Sequence, residues 1–505
     1  MLEQEYSIGR FQNFLVLWLP LAILAMSLAF AMGFWASTSA FELNLVPEKP
    51  SQMLAFVALL SGATIVFKKP EIGLILLVAV VYSNASEIAV RNHGLPSALQ
   101  ALGILLGLVI LVRWMSASSE RPRGDAILIL LAFYAVVLFG SSLHAINPGL
   151  ADEKLFEHVK CLVLFALVVN LARSHTTLKR AVWAILIAGA ALSTISAYQV
   201  LTSSYGWDFG GFGRIKVAQI VGDLRQPRIA GAFADPNFYA QVLIPLVPLA
   251  LYRFLDTSSR RWKLLGAYCI AACLVALVFT YSRGGILALG VVLGLILIIQ
   301  KPKLKHCVVG FILILLLLLL VPPQFQQRLG TLSQFMADEE SPIVDTDSSF
   351  QQRSLLMRVA WDIWRDHPFF GVGAGNYSEY YLEYAEQIGA TVDSYENFDQ
   401  QRFPHSLYLE MAAETGLVGL LLFGAILLTA CLKGWHAAHL FRKSGDLKSS
   451  RLVMSLLVGI AGYLTTSIFL HAHYLRHLWL LLALLAASSH IAIKAASNRK
   501  CGEPS

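Results

Sequence analysis

Charge is what this 505-residue chain has least of. Only 14% of its residues are Asp, Glu, Lys or Arg, and 56% are hydrophobic, with a mean hydropathy of +0.62. A soluble globular domain carries about 25% charged residues, so that class is excluded and a polytopic membrane protein is implied. Cysteine is scarce as well. The six, Cys161, Cys269, Cys273, Cys307, Cys431 and Cys501, lie in apolar runs or near their ends and none in a long polar loop, which removes a disulfide framework. Cys269 and Cys273 stand one helical turn apart within an apolar run, a spacing that suits packing better than metal binding. No repeat of fixed period is present. The Gly371-Val372-Gly373-Ala374-Gly375-Asn376 stretch lacks the strand and helix that a dinucleotide fingerprint requires. No cluster of carboxylates has metal-ligand spacing. The formal net charge of +7 reports orientation in such a chain, since basic residues collect on the cytoplasmic side; it does not point to nucleic acid.

What the chain has is apolar runs long enough to span a bilayer as helices. Fourteen are expected, at 14–36, 51–67, 71–83, 98–115, 126–143, 155–171, 181–201, 237–255, 264–281, 284–300, 306–322, 412–432, 452–471 and 475–494. Lys68-Lys69-Pro70 separates the second from the third. The run from Phe14 to Ala36 exceeds a signal-peptide core and reads as a retained first helix. The fold class is therefore all-α, a polytopic integral membrane protein of about 12–14 transmembrane helices, with short helices in one long outer loop. Alternate loops are basic: Lys68 and Lys69; Arg113, Arg121 and Arg123; Arg173, Lys179 and Arg180; Arg253, Arg260, Arg261 and Lys263; Lys301, Lys303 and Lys305; Lys433, Arg442, Lys443, Lys448 and Arg451; Arg499 and Lys500. That alternation puts both termini in the cytoplasm. Three regions follow: N-terminal helices over 1–180, a central region over 181–435 containing the outer loop 323–404, and C-terminal helices with a tail over 436–505.

Two long loops then lie outside, 202–236 and 323–404. The second carries thirteen acidic residues, five arginines and no lysine. Within it, Ser349 to Asp366 reads as an amphipathic helix, with Leu355, Leu356, Val359, Ile363 and Trp364 on one face, punctuated by Arg353, Arg358 and Arg365 and stopped by His367-Pro368. The first is basic on the side where the charge rule disfavours it, through Arg214, Lys216, Arg225 and Arg228. Arg283 sits in a minimal outer turn, Tyr281-Ser282-Arg283-Gly284-Gly285. An arginine there can simply snorkel to headgroups, but its small polar flanks leave room for a ligand. Fixed guanidinium groups facing outward suit a pyrophosphate, whose oxygens match their planar forks.

His405 stands where a polar segment meets lipid, in Pro404-His405-Ser406-Leu407-Tyr408. Such a residue is often only a polar helix end. Here Glu410 and Glu414 follow it, one turn apart on a helix entering the membrane, where carboxylates are costly; either could orient an imidazole or contact an acceptor sugar. His471, His473 and His477, around Arg476, cross a short turn and read as interfacial residues.

These motifs resemble the O-antigen ligase and polymerase superfamily of bacterial inner-membrane glycosyltransferases. His405-Ser406, nine residues, Gly416 and then Gly419 fit its histidine–glycine pattern. The segment from Arg228 to Asn237 is similar to its Arg…Gly…Asn-Pro-Asn element, with Asp235 in the first asparagine position. Ser282 to Gly284 match its Ser-Arg-Gly turn, and Arg353 through Asn376 its arginine-started helix and glycine turn. The resemblance covers about 180–435. It implies a metal-independent, cofactor-free enzyme that takes a glycan from undecaprenyl pyrophosphate on the periplasmic side. The enzyme passes that glycan, with inversion, to a hydroxyl of a glycan, lipid or protein acceptor. By matched position, Arg228 and Arg283 would hold the pyrophosphate and His405 would take the acceptor proton. Asn237, Arg353, Arg358, Asn376, Arg402, Glu410 and Glu414 would contact substrate. The outer loop would exclude water, and its reading of the acceptor would decide between polymerase and ligase. A transporter or flippase of lipid-linked saccharide competes with this, and would use polar residues within spans, His158 with Lys160 being the clearest. A scaffold role, carried by the acidic loop, comes third.

Overall fold

The computed structural model describes residues 62–116, 122–221, 224–300, 348–388, 402–472 and 475–500. The expected spans 14–36 and 306–322, and most of 51–67, lie outside these residues, as do 323–347 and 389–401 of the outer loop. Every other expected span coincides with a helix: α1 (Pro70–Tyr82), α3 (Ala98–Ser116), α4 (Ala126–Ser142), α5 (Pro148–Leu171), α6 (His175–Thr202), α7 and α8 (Pro236–Leu243 and Leu246–Asp256), α9 (Arg260–Phe279), α10 (Arg283–Gln300), α13 (Leu407–Lys443), α14 (Leu447–Thr466) and α15 (Leu475–Lys500). Among the described residues, seven helices are long and apolar enough to cross a membrane, counting α7 and α8 as one span. An eighth counts if α1 and the helix after it form one span. That second helix, α2 (Ala85–His93), is bent 60° from α1 and was not legible in the hydropathy. The fold is all-α and polytopic, as composition required.

The polar contacts sort the helix ends into two groups. At one end Arg113 donates to the Lys68 carbonyl, Arg180 pairs with Glu71 and Lys433 with Asp125, and Arg451 pairs with Asp256. These are the ends that the basic loops mark. At the other end Asn84 donates to the Ala232 carbonyl, Arg476 pairs with Glu87, and Asn147 meets Asn376. Successive spans thus run in alternate directions, which the alternation of basic loops predicted.

One element departs from expectation. The loop 202–236 folds into an antiparallel hairpin, β1 (Arg214–Val221) and β2 (Leu224–Gly231), with Lys216 opposite Arg228. Ile215 and Val217 alternate with Arg214 and Lys216, a period-2 pattern too short to stand out among the helical runs. Asp235 then starts α7 as an N-cap, its Oδ1 accepting from the Asn237 amide at 2.7 Å, with Pro236 at the first helical position.

The outer segment forms α11 (Ser348–Asp366) and α12 (Tyr377–Gln387). Leu356, Val359 and Ile363 of α11 are buried with Tyr377, Tyr381 and Tyr384 of α12 in a small core of their own, so the amphipathic face faces protein. This cap is spliced into α13. At Gly416 the helix breaks, with φ 63° and ψ −165°, a conformation essentially reserved for glycine. The break frees backbone groups on both sides. Leu417 and Val418 amides donate to the Pro368 and Phe369 carbonyls at 2.8 and 3.2 Å, and Val372 and Gly373 amides donate to Ala413 and Glu414 carbonyls at 2.9 and 3.0 Å. Gly371 has φ 67°, and a Cβ on it would run into the Glu414 backbone. The packing of α13 against α4, α14 and α15 carries the cap's position into the bundle.

Candidate active site

The site grows from three chain turns at the non-basic end. The first is the hairpin's exit. Arg228 is only 4% exposed; its Nε donates to the Thr280 carbonyl at 2.9 Å and its terminal nitrogen to Asn237 Oδ1 at 3.1 Å. Asn237 is itself held by Asp235, whose Oδ1 accepts from Asn237 Nδ2 at 2.8 Å. Asp235 also pairs with Lys216 across the hairpin at 3.0 Å. Although burial opposes it, Lys216 and Arg228 hold the Asp235 carboxyl down at about 2. A chain of four side chains, Lys216–Asp235–Asn237–Arg228, therefore locks one guanidinium against the next turn.

That next turn is Thr280–Ser282. Tyr281 sits at φ 52°, an uncommon value for a bulky residue. Ser282 Oγ accepts from the Gly285 amide at 3.2 Å, and α10 begins at Arg283. Ser282, Gly284 and Gly285, on either side of Arg283, line a narrow cleft with Asn237, Arg353 of α11, Thr466 at the end of α14, and Phe469 and Leu470 just after it. The helix terminus adds its partial positive charge to those arginines.

The third turn carries His405, also left-handed at φ 51°. Its half-buried imidazole has a Nδ1 that makes no hydrogen bond among the described residues. Burial, then the charge of Arg353, lowers its pKa to about 4, with Asp235 opposing and Lys216 adding to the shift. His405 is thus within electrostatic reach of the cleft's Arg353 and of the Asp235–Lys216 pair, and is neutral near pH 7. Its ring meets His471 edge-on at 5.5 Å.

Asn237, the turn around Arg283 and Arg353 therefore line one cleft, Arg228 is bonded to its Asn237, and His405 lies within electrostatic reach of its Arg353. The other expected site residues point elsewhere. Arg358 is exposed on another face of α11. Arg402 lies over the Tyr381 ring at 5.8 Å. Asn376 is fully buried as a clamp: its Oδ1 accepts from the Asn147 amide at 2.7 Å, and its Nδ2 donates to the Asn147 and Ala374 carbonyls. Glu414 Oε2 accepts from the Gly375 amide at 2.8 Å, and Glu410 accepts from the Ala472 amide at 2.5 Å. The carboxylates hold backbone at these contacts, where an imidazole or sugar contact was expected. Sequence alone passed over Thr280, Lys216 as the partner of Asp235, and the stretch 466–470. Of these only Lys216 left a signal, as a basic residue on the outer side.

No group of three or more His, Cys, Asp or Glu side chains is placed to hold a metal among the described residues. Cys269 and Cys273 are free thiols buried within the bundle.

Fold and site define a multi-pass membrane protein that presents, at one end of the helix bundle, a cleft lined by Arg353 and backed by Arg228, with a histidine within electrostatic reach of it. Residues 268–424 match the family model described as O-antigen ligase, which puts this segment in the O-antigen ligase and polymerase superfamily, a family of membrane enzymes of glycan ligase or polymerase type. The matched stretch begins after Arg228 and Asn237 and contains Arg283, Arg353 and His405. No curated protein matches the chain.

Proposed function

We propose that this protein is a bacterial inner-membrane glycosyltransferase whose cleft faces the periplasm. On this proposal it transfers a glycan from a polyprenyl-pyrophosphate carrier to an acceptor hydroxyl, as a polysaccharide or O-antigen polymerase in preference to a ligase. The observation that carries the proposal is a cleft lined by Arg353 and the turn around Arg283, with Arg228 bonded to its Asn237, within electrostatic reach of a histidine whose buried Nδ1 has no hydrogen-bond partner among the described residues. The acceptor oxygen attacks the anomeric carbon from the face opposite the carrier, so that the carbon–oxygen bond to pyrophosphate breaks with inversion. The departing pyrophosphate gains charge, and fixed guanidinium groups and a helix N-terminus stabilise it without reorganising. The hydroxyl proton passes to His405, which is unprotonated at working pH; such general-base help contributes about 10²–10⁴-fold. The cap of α11 and α12, spliced into α13, shields the donor from water.

The competing transport mechanism drew on His158 and Lys160. His158 Nε2 is bonded to the Leu131 carbonyl at 2.9 Å and its ring packs on Tyr134 and Trp479, while Lys160 pairs with Glu157. Both have structural partners, which favours the enzyme.

The test is reconstitution of purified protein with a lipid-linked repeat unit. Growth by whole repeat units supports a polymerase, and transfer of preformed chain only to an added acceptor makes it a ligase. In cells, Arg283→Ala and His405→Ala variants that insert normally should accumulate lipid-linked glycan on the outer face. Accumulation on the inner face would sink the enzyme reading in favour of transport.

A further inference from the structure

Beside His405 lies an ionic pair, a buried carboxylate with a half-buried lysine, that the proposed chemistry leaves unused. Glu410, one turn into α13, is 1% exposed. Its Oε2 accepts from the Ala472 amide at 2.5 Å, and its Oε1 lies 3.9 Å from Lys154 Nζ of α5. Removing a carboxylate from water is costly and stabilises a fold poorly compared with apolar packing, so buried Glu410 calls for another use.

The surroundings of the pair supply one. Ala472 follows His471, and the His471 ring stacks flat on Phe403 with centroids 4.3 Å apart and planes at 1°. The same ring meets Phe238 edge-on at 4.9 Å and His405 edge-on at 5.5 Å. Lys154 Nζ in turn sits over the Phe403 ring at 5.9 Å. The pair thus grips the aromatic wall of His405 from two sides. Glu410 fixes the backbone just after His471, and Lys154 bears on Phe403, two residues before His405. His405 holds a left-handed φ of 51°, a strained state that persists only where surrounding contacts over-determine it.

We propose that the Lys154–Glu410 pair is a positioning device for His405, aiming its imidazole through Phe403 and His471. This rests on the assignment of His405 as the group that accepts the acceptor's proton. Lys154 lies well outside the matched segment, so the device joins the N-terminal helices to the chemistry.

The experiment uses the full chain in proteoliposomes with a lipid-linked repeat-unit donor, comparing Glu410→Gln, Lys154→Met, the double variant, Phe403→Leu and His405→Ala. Each single change in the pair should lower kcat by about 10²-fold, the effect of displacing a reacting group by an ångström, with donor KM held within about twofold of wild type. The double variant, which removes both members of the pair together, should recover about tenfold over either single. Phe403→Leu, which removes the stack without touching a charge, should show the same kcat-only loss and keeps the test open if the charge variants fail to insert. A wild-type kcat in the inserted pair variants or in Phe403→Leu, or a double variant no better than the singles, overturns the proposal while an inactive His405→Ala leaves the parent assignment standing. If His405→Ala turns over like wild type, the assignment falls and this proposal falls with it.

Discussion

Replacing Gly416 with alanine should detach the outer cap from the membrane bundle. At φ 63° and ψ −165° an alanine pays about 1–3 kcal/mol of backbone strain. Its Cβ would also strike the Phe369 carbonyl and the Phe370 nitrogen, which are backbone atoms and cannot swing aside. The Leu417 and Val418 amides must then release the Pro368 and Phe369 carbonyls, at about 1 kcal/mol net for each bond. Strain and lost bonds together come to about 4 kcal/mol, enough to shift a docking equilibrium by about three orders of magnitude. Hydrogen exchange on the detergent-solubilised protein reads this directly. Amides of Val372, Gly373, Leu417 and Val418 should lose protection together, while those within α14 and α15 keep theirs. Turnover should collapse, because Arg353 of the cleft is carried by the cap. Gly424, in the same helix, has open space where a Cβ would go, so Gly424→Ala is the control and should behave as wild type. Unchanged protection at those four amides in Gly416→Ala would refute the splice as the cap's anchor.

Further outcomes follow from the same geometry. Because His405 is held near 4, mainly by burial and next by Arg353, the acid limb of the activity–pH profile should fall near pH 4, well below the 6.5 of a free imidazole; Arg353→Gln should move it upward in part, and a limb at 6.5 in wild type would contradict the site. The depressed pKa also means that between pH 6.5 and 4 the unfolded chain binds a proton that the folded chain refuses, so this group subtracts stability as pH falls through that window. Asp235, held at about 2, contributes stability above about pH 4 that is lost as pH drops from about 4 towards 2; Asp235→Asn, which keeps an N-cap acceptor, should flatten acid denaturation monitored over that range. Arg228→Lys keeps the charge but cannot serve both the Thr280 carbonyl and Asn237, and should cost about 10²-fold in kcat/KM in the reconstituted assay. Asn376→Ala strands the amide and carbonyl of Asn147 and should lower stability by about 2 kcal/mol in denaturant titrations, with donor KM unchanged in the folded fraction.

The spans were legible because a bilayer tolerates few alternatives: apolar length and the alternation of basic loops are imposed by solvent, and the spanning helices follow them. The cap helix α11 was legible for the same kind of reason, since its apolar stripe repeats at helical spacing and Pro368 stops it. The hairpin was not, because four alternating residues carry little signal beside runs of twenty. Within the site, Arg228, Arg283 and His405 stood out as charge or polarity on the outer side. What sequence could not give was the partner of each polar group. Asn376 and Glu414 have the same chemistry as ligand-binding residues, and only the approach of Asn147 and Gly375 reveals that they serve the backbone. Thr280 acts through its carbonyl, which every residue possesses, so no side-chain pattern could have singled it out.

The hairpin that delivers Arg228, the asparagine clamp at residue 147 and the stretch 466–470 that closes the cleft all lie outside residues 268–424. The matched stretch is consequently not a transplantable module. A chimera that swaps only that interval between two such proteins would inherit a histidine with its walls missing. Moving the outer cap between them means moving the flanking turns that grip it as well.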